Sequence, residues 1–289
     1  FFFKQKTAYE IKECDWSSDV CSSDLPPEDA DRMITLSNQM IAIDDPDYAP
    51  DYDSLPPGID PKSLPFGSPA SYHVFEYGRR LGEERRAHPQ DDLVSRLVHA
   101  DVDGDSLTEL EYCNMFQILI LAGNETTRTT LTHGMKAFID TPGQWELLRE
   151  RPELIDSAVE EIIRWATPVL YMRRTATEDT ELRGQAIRAG DKVVMWYMSA
   201  NYDEAVFDDL HAFDIARDPN PHLGFGGGGP HFCLGAWLAR LQIRVMFEEC
   251  LARDLRLASY GPARRVRSDR KSTRLNSSHI PLSRMPSSA

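Results

Sequence analysis

Cys233 closes the run Phe225-Gly226-Gly227-Gly228-Gly229-Pro230-His231-Phe232, and an apolar helical pattern from Ala236 to Cys250 follows it. A cysteine at the start of a helix lies near unpaired backbone N–H groups and the positive end of the helix dipole. Both favour the thiolate, the form that attacks electrophiles or binds metal. Four consecutive glycines carry no Cβ, so this backbone can lie flat against a large planar ligand. Two plainer readings compete. Gly224, Gly226 and Gly229 also fit the dinucleotide pattern G-x-G-x-x-G, but that pattern needs a strand before it. Asp218-Pro219-Asn220-Pro221-His222 cannot pair as one, because proline lacks the ladder donor. Alone, the loop also fits a glycine turn beside a buried free cysteine.

Three further groups of residues carry chemistry. Ala122-Gly123-Asn124-Glu125-Thr126-Thr127 overlaps the most apolar stretch, Met115 to Gly123. Tyr112, Phe116, Leu119 and Gly123 follow helical spacing, and no proline interrupts Ser106 to Thr141, which predicts one long helix. In mid-helix the Thr126 hydroxyl can bond back to the Ala122 carbonyl and distort the helix. Glu125 beside it completes an acid–alcohol pair able to pass protons. The same six residues also fit an ordinary buried helix with a solvated glutamate. Glu161 and Arg164, three apart, share one helical face and can pair, although such a pair alone is most often a surface salt bridge. Arg173-Arg174-Thr175-Ala176 precedes Asp179 to Gly184. An arginine fork there suits carboxylate binding, or is a surface arginine on a β-hairpin.

In their order and spacing these motifs resemble those of the cytochrome P-450 family. The cysteine loop is similar to F-G-x-G-x-H-x-C-x-G, the threonine helix to A-G-x-[DE]-T-T, and Glu161 to Arg164 to E-x-x-R. Arg173 to Gly184 resembles the family segment R-x-A-x-x-D-x-E-x-x-G. The resemblance implies that Cys233 is the axial ligand of a haem b iron (iron protoporphyrin IX), pushing electron density that favours O–O cleavage. It implies His231 and Arg174 on the haem propionates, with Arg173 also within reach. Phe225, Gly226 and Gly235 belong to the haem loop, Ala122 and Gly123 to the distal haem face. Glu125 and Thr126 would be the catalytic pair, with Glu161 and Arg164 a buried anchor for the segment leading to the cysteine. Two departures stand out. The loop has one residue more between Phe225 and His231 than the commonest pattern, and Ala212 stands where an arginine normally completes the E-x-x-R network. His211 or Arg217 takes that place.

By resemblance, the reaction is a monooxygenation that inserts one atom of dioxygen into a C–H bond of a small hydrophobic substrate. Electrons would come from NAD(P)H through a ferredoxin-type carrier and its reductase. Arg240 and Arg244, four apart, face an acidic carrier or simply solvent. The run Trp196 to Asn201, with the long glycine loop, looks nearest to members that hydroxylate sterol side chains or methyl-branched lipids. A haem-thiolate peroxygenase or nitric-oxide reductase would use the same fold, but Glu125 and Thr126 speak against both. An inactive haem-binding fragment is the remaining alternative.

The elements that must position these residues are mostly helical. Helices are predicted over Asp29–Ile43, Ser71–His88, Asp91–Ala100, the long stretch described above, Gly143–Arg151, Pro152–Ala166 and Leu234–Leu251. Tyr171–Tyr197 alternates and turns at Gly184 and Gly190, as a small sheet does. The loop from Asp44 to Pro69 is long enough to be functional. The expected fold is mainly α with a minor β-sheet, a cytochrome P-450 fold incomplete at both ends. Residues 26–268 form the partial domain; 1–25 and 269–289 are serine-rich, lack apolar periodicity, and look like translated sequencing-adapter read-through. No membrane-length apolar run is present. The net charge of −14 argues against nucleic-acid and anionic-membrane binding. Outside the suspect leader, which holds Cys14 and Cys21, only Cys113, Cys233 and Cys250 remain, an odd set that fits a reducing, cytoplasmic compartment.

Overall fold

The computed structural model describes residues 25–43, 45–102, 104–259 and 282–284. Its helices are α1 Pro27–Ile41, α2 Pro69–Ala87, α3 Leu93–Val98, α4 Glu109–Asp140, α5 Pro142–Glu150, α6 Ile155–Ala166, α7 Tyr197–Asn201 and α8 Ala236–Ala252. The strands form four antiparallel pairs. These are β1 Asp101–Val102 with β2 Asp105–Ser106, β3 Tyr171–Thr175 with β6 Lys192–Trp196, β4 Thr180–Leu182 with β5 Gln185–Ile187, and β7 Leu255–Leu257 with β8 Leu282–Arg284.

The long helix predicted from the proline-free stretch is α4, 32 residues long. A reciprocal cap starts it: the Glu111 N–H donates to Thr108 Oγ1 at 3.3 Å, while the Thr108 N–H donates to the Glu111 carboxylate at 2.9 Å. The helix serves two cores. Its first half packs Tyr112, Phe116 and Ile120 against α1, α2 and α3 through Met33, Met40, Val74, Leu81 and Val94. Its second half packs Leu131, Met135 and Phe138 against α5, α6 and α8. Phe138 meets Trp145, Phe213 and Phe247 edge to face, with centroids 5.2, 5.2 and 5.3 Å apart. At Gly134 α4 runs so close to α6 and α8 that a Cβ would lie 2.7 Å from Ile162 and 3.2 Å from Phe247.

Several expectations are refined. The stretch 44–69 carries four single turns of 3-10 helix, three of them opened by an aspartate (Asp45, Asp51, Asp60) whose carboxylate accepts the N–H two residues on. The helix expected from Pro152 begins with a 3-10 turn, Pro152–Leu154, before α6. The small sheet is two separate ladders, and α7 follows β6 directly. Leu25, assigned to the leader, is buried in the core shared by α1, α2, α3 and the first half of α4. Three residues of the tail, 282–284, pair with β7. The rest of both end segments lies outside the described residues, apart from that strand. Among the described residues no helix is long and apolar enough to cross a membrane.

Candidate cofactor and active site

The glycine loop folds back on its own cysteine. The Cys233 N–H donates to the Phe225 carbonyl at 3.1 Å, and the Gly226 N–H to the Leu223 carbonyl at 2.9 Å. Gly226, Gly228 and Gly229 have φ of +90°, +96° and +77°, the left-handed region that glycine enters without strain. No atom lies within 4 Å of where a Cβ would stand on Gly228, Gly229 or Gly235, so one side of the loop is open. Cys233 is exposed on it. Because α8 begins only at Ala236, Cys233 precedes the first turn instead of occupying it. Desolvation by the loop pushes the Cys233 thiol above its ordinary value, and the Gly235 N–H and the Arg240 charge offset only part of that. This corrects the expectation that the helix start alone favours the thiolate; a bound metal ion is what deprotonates a thiol in such a place.

Behind the loop stands a network that the motifs did not indicate. Glu160 on α6 accepts from Arg240 of α8 through Nε at 2.6 Å and Nη2 at 2.9 Å, and from His222 Nε2 at 2.9 Å. His222 Nδ1 accepts the Gly224 N–H at 3.1 Å, which leaves the imidazole proton on Nε2. Burial opposes the Glu160 carboxylate, but the Arg240 and His222 hydrogen bonds overcome it and hold the pKa at about 2. The Arg240 guanidinium also lies 4.5 Å from the Phe225 ring centroid. Arg240 is thus bound within the protein, while Arg244 pairs with Asp156 and Glu248, each at 2.8 Å. Asn201, fully buried at the end of α7, accepts the Leu223 N–H at 2.7 Å and donates to Thr167 Oγ1 at 2.9 Å.

Glu161 and Arg164 are both fully buried and joined by two bonds, 2.7 and 2.8 Å, so the surface salt-bridge reading does not hold. Arg164 also donates to the carbonyls of Asn201, Leu210 and Ala212. The third member is Arg217, whose Nε reaches Glu161 at 3.2 Å. His211 instead stacks near Tyr202, ring centroids 6.1 Å apart. The Asp214 N–H and the Asn220 amide complete the shell around Glu161, each at 3.0 Å.

On α4 the Thr126 hydroxyl donates to the Ala122 carbonyl at 2.6 Å, as the sequence predicts. α4 runs unbroken through this stretch, and Thr130 and Thr132 make the same back-bond at 2.8 Å, to the carbonyls of Thr126 and Arg128. Ala122 is exposed and Gly123 half-buried, at the end of an exposed apolar stripe that includes Met115 and Ile118. Glu125 lies on a different face, fully buried, with Arg128 at 2.5 Å; Arg128 also reaches Asn38 of α1 at 2.6 Å. The solvated-glutamate reading is therefore excluded.

Arg174 and His231 are exposed, and the Arg174 guanidinium donates to the Arg173 carbonyl at 3.1 Å. The β3–β6 ladder that carries Arg174 leads into Tyr197, whose hydroxyl lies 3.8 Å from where a Gly226 Cβ would stand. Among the described residues no group of three or more His, Cys, Asp or Glu is arranged to hold a metal ion. An exposed cysteine on an open glycine face, two residues from an exposed histidine, fits a flat macrocycle that would bring its own remaining ligands, and the exposed Arg174 is available to a carboxylate of such a group. A separate cleft of about 700 Å³ opens between α6, α8 and residues 216–220; neither Cys233 nor Thr126 lines it.

Comparison with known proteins gives the same picture. The family described as cytochrome P-450 matches residues 71–253. A steroid C26-monooxygenase of Mycolicibacterium smegmatis is 46% identical over 224 residues, covering 77% of this chain and 48% of that protein. A methyl-branched lipid omega-hydroxylase of Mycobacterium bovis is 48% identical over 230 residues, covering 78% of this chain and 50% of that protein. Among solved structures, a Mycobacterium marinum cytochrome P-450 in complex with pseudoionone superposes with a TM-score of 0.79 at 38% identity, covering 95% of this chain and 67% of that one. The chain spans about half the length of the curated relatives it matches. A family match that takes in α2 to α8, with all four motifs inside or beside it, leaves one conclusion: the chain belongs to the cytochrome P-450 family.

Proposed function

We propose that this chain is the haem-holding part of a monooxygenase that inserts one atom of dioxygen into a C–H bond of a hydrophobic substrate. The substrate class is a sterol side chain or a methyl-branched lipid, the chemistry named for the two relatives of 46% and 48% identity. The observation that carries the reading is Cys233, an exposed thiol on an open glycine loop, with no group of three or more His, Cys, Asp or Glu arranged to hold a metal ion among the described residues. The cofactor is haem b, which when bound through a thiolate supplies the chemistry of O–O cleavage.

The residues of this chain have separable tasks. Cys233 holds the iron, and Phe225, Gly226 and Gly235 shape the loop around it. Arg174 and His231 bind the carboxylates at the cofactor's edge, where a planar guanidinium and an imidazole donor suit them. Ala122 and Gly123 would leave room for the cofactor and dioxygen, because neither has a side chain beyond Cβ. Thr126 holds a hydroxyl there, anchored by its bond to the Ala122 carbonyl. Glu125, once its side chain turns away from Arg128, would take up a proton from solvent and pass it to that hydroxyl, acting as a relay and not as a source. Electrons come from NAD(P)H through a ferredoxin-type carrier and reductase, in the cytoplasm.

The test is coupled turnover of the whole protein with such a carrier, a steroid and a methyl-branched lipid being offered in turn. Thr126→Ala should keep cofactor and substrate binding while product per NAD(P)H falls about tenfold or more and hydrogen peroxide rises, in line with the 10²–10⁴-fold worth of positioned proton transfer. Equal coupling in variant and parent removes Thr126 and Glu125 from the mechanism. Turnover fed by peroxide but not by dioxygen and the carrier would make the protein a peroxygenase.

A further inference from the structure

Two neighbouring glutamates of α6 hold different parts of the chain. Glu161 gathers Asp214, Arg217 and Asn220, and through Arg164 it also gathers residues 201, 210 and 212. Glu160, one residue earlier and so about 100° round the helix, touches none of these. Its partners are His222, at the entry to the cysteine loop, and Arg240, in the helix that leaves it.

We propose that Glu160, His222 and Arg240 are positioning residues that clamp both ends of the Cys233 loop to α6 and balance the charge beside its sulfur. The geometry is that of a built clamp, not a chance surface pair. The Arg240–Glu160 contact uses two donors on two carboxylate oxygens, and both side chains are only 29% exposed. Glu160 Oε2 also accepts a hydrogen bond from His222 Nε2, while Nδ1 of the same ring accepts the Gly224 N–H. From its place on Glu160, Arg240 covers the Phe225 ring at 4.5 Å, and the Phe225 carbonyl accepts the Cys233 N–H. Carboxylate, guanidinium, aromatic ring, carbonyl and cysteine N–H thus form one connected path. The charge argument follows from the same contacts. Arg240 brings a positive charge over the Phe225 ring, whose residue's carbonyl accepts the Cys233 N–H, and Glu160 neutralises that charge. Removing one or the other should therefore shift the electrostatic potential at the sulfur in opposite directions, whereas damage to packing would have one sign.

The positional part of the inference is independent of the haem reading; the charge part rests on it. The first arm uses the 289-residue chain as it stands and measures hydrogen–deuterium exchange by mass spectrometry. Glu160→Ala and Arg240→Gln should each speed exchange in peptides covering residues 222–235 about tenfold, the scale of one lost charge-assisted hydrogen bond. Peptides from the second half of α4 should not change, and Arg240→Lys should recover part of the protection. If Glu160→Ala does not fold, Glu160→Gln serves in its place. Unchanged exchange in the loop, or equal acceleration throughout the chain, would overturn the clamp.

The second arm reads the haem reduction potential in the loaded protein. Glu160→Gln should raise it, Arg240→Gln should lower it, and Arg240→Lys should leave it near the parent value. Shifts of the same sign, or none, would overturn the charge role. A chain that takes up no haem would count against the Cys233 ligand reading, and the exchange arm would still decide the clamp.

Discussion

Replacing Glu161 with glutamine keeps its shape and removes its charge. The carboxylate accepts five hydrogen bonds: two from Arg164, and one each from Arg217, Asn220 and the Asp214 N–H, at 2.7 to 3.2 Å. Glutamine offers one acceptor oxygen and turns an amide donor toward a guanidinium. Arg164, none of whose side chain is exposed, would then lie buried without a counter-charge. Removing one partner of a buried pair costs about 3–5 kcal/mol, because the remaining charge is stranded away from water. That is a large share of the 5–15 kcal/mol typical of a folded domain. In urea, with a slope of about 2 kcal/mol/M, the midpoint of Glu161→Gln should fall by about 1.5–2.5 M at unchanged slope. Arg217→Met should also destabilise, by a smaller amount, since Arg217 has only one bond to Glu161. His211→Ala should stay within about 0.5 kcal/mol of the parent, as an exposed residue outside the network does. A loss below about 1 kcal/mol for Glu161→Gln, or a larger loss at His211 than at Arg217, would refute the assignment of the network.

Two further outcomes follow from single contacts. The folded-state pKa of Glu160 is lowered from 4.5 to about 2, so its pairing stabilises the fold above about pH 4.5 and that contribution is lost as pH falls toward 2. The ceiling is about 3 kcal/mol, less after screening at a partly exposed site. Urea midpoints measured across that window should flatten in Glu160→Gln, and an unchanged pH slope would contradict the pairing. Gly134→Ala should cost about 1–3 kcal/mol by thermal unfolding, because its Cβ would press on Ile162 at 2.7 Å and on Phe247 at 3.2 Å. A neutral result would mean that α4, α6 and α8 can move apart there.

The parts of the molecule legible in the sequence are those governed by local pattern. The absence of proline from Ser106 to Thr141 marks α4, and the threonine in its middle makes the back-bond that its chemistry allows. Glu161 and Arg164 are three apart and meet for that reason alone. What the sequence leaves open depends on long-range packing. Nothing local distinguishes His211 from Arg217 as the partner of Glu161, because the choice depends on how residues 208–217 wrap against α6; Arg217 donates to the carbonyls of Asp208, Asp209 and Ala212 as it does so. Glu160 looks like a spare acid beside the motif residue, and its roles toward His222 and Arg240 join positions 62 and 80 residues apart. Asn201 gives no local signal, although a buried polar side chain with both amide atoms bonded is what the end of a helix packed against a loop can use. Glu125 is the instructive case. Sequence adjacency places it beside Thr126, whereas the helical turn sends it to the buried face and to Arg128.

The central claim is that Cys233 holds iron as a thiolate, and one spectrum tests it most directly. The whole protein, loaded with haem, reduced and exposed to carbon monoxide, should show the red-shifted Soret band of thiolate ligation. Cys233→His should move that band to the position given by an imidazole ligand, while Cys113 and Cys250, both buried, should be replaceable by alanine without effect on it. A parent protein lacking the shifted band, or a Cys233→His variant that retains it, would contradict the account.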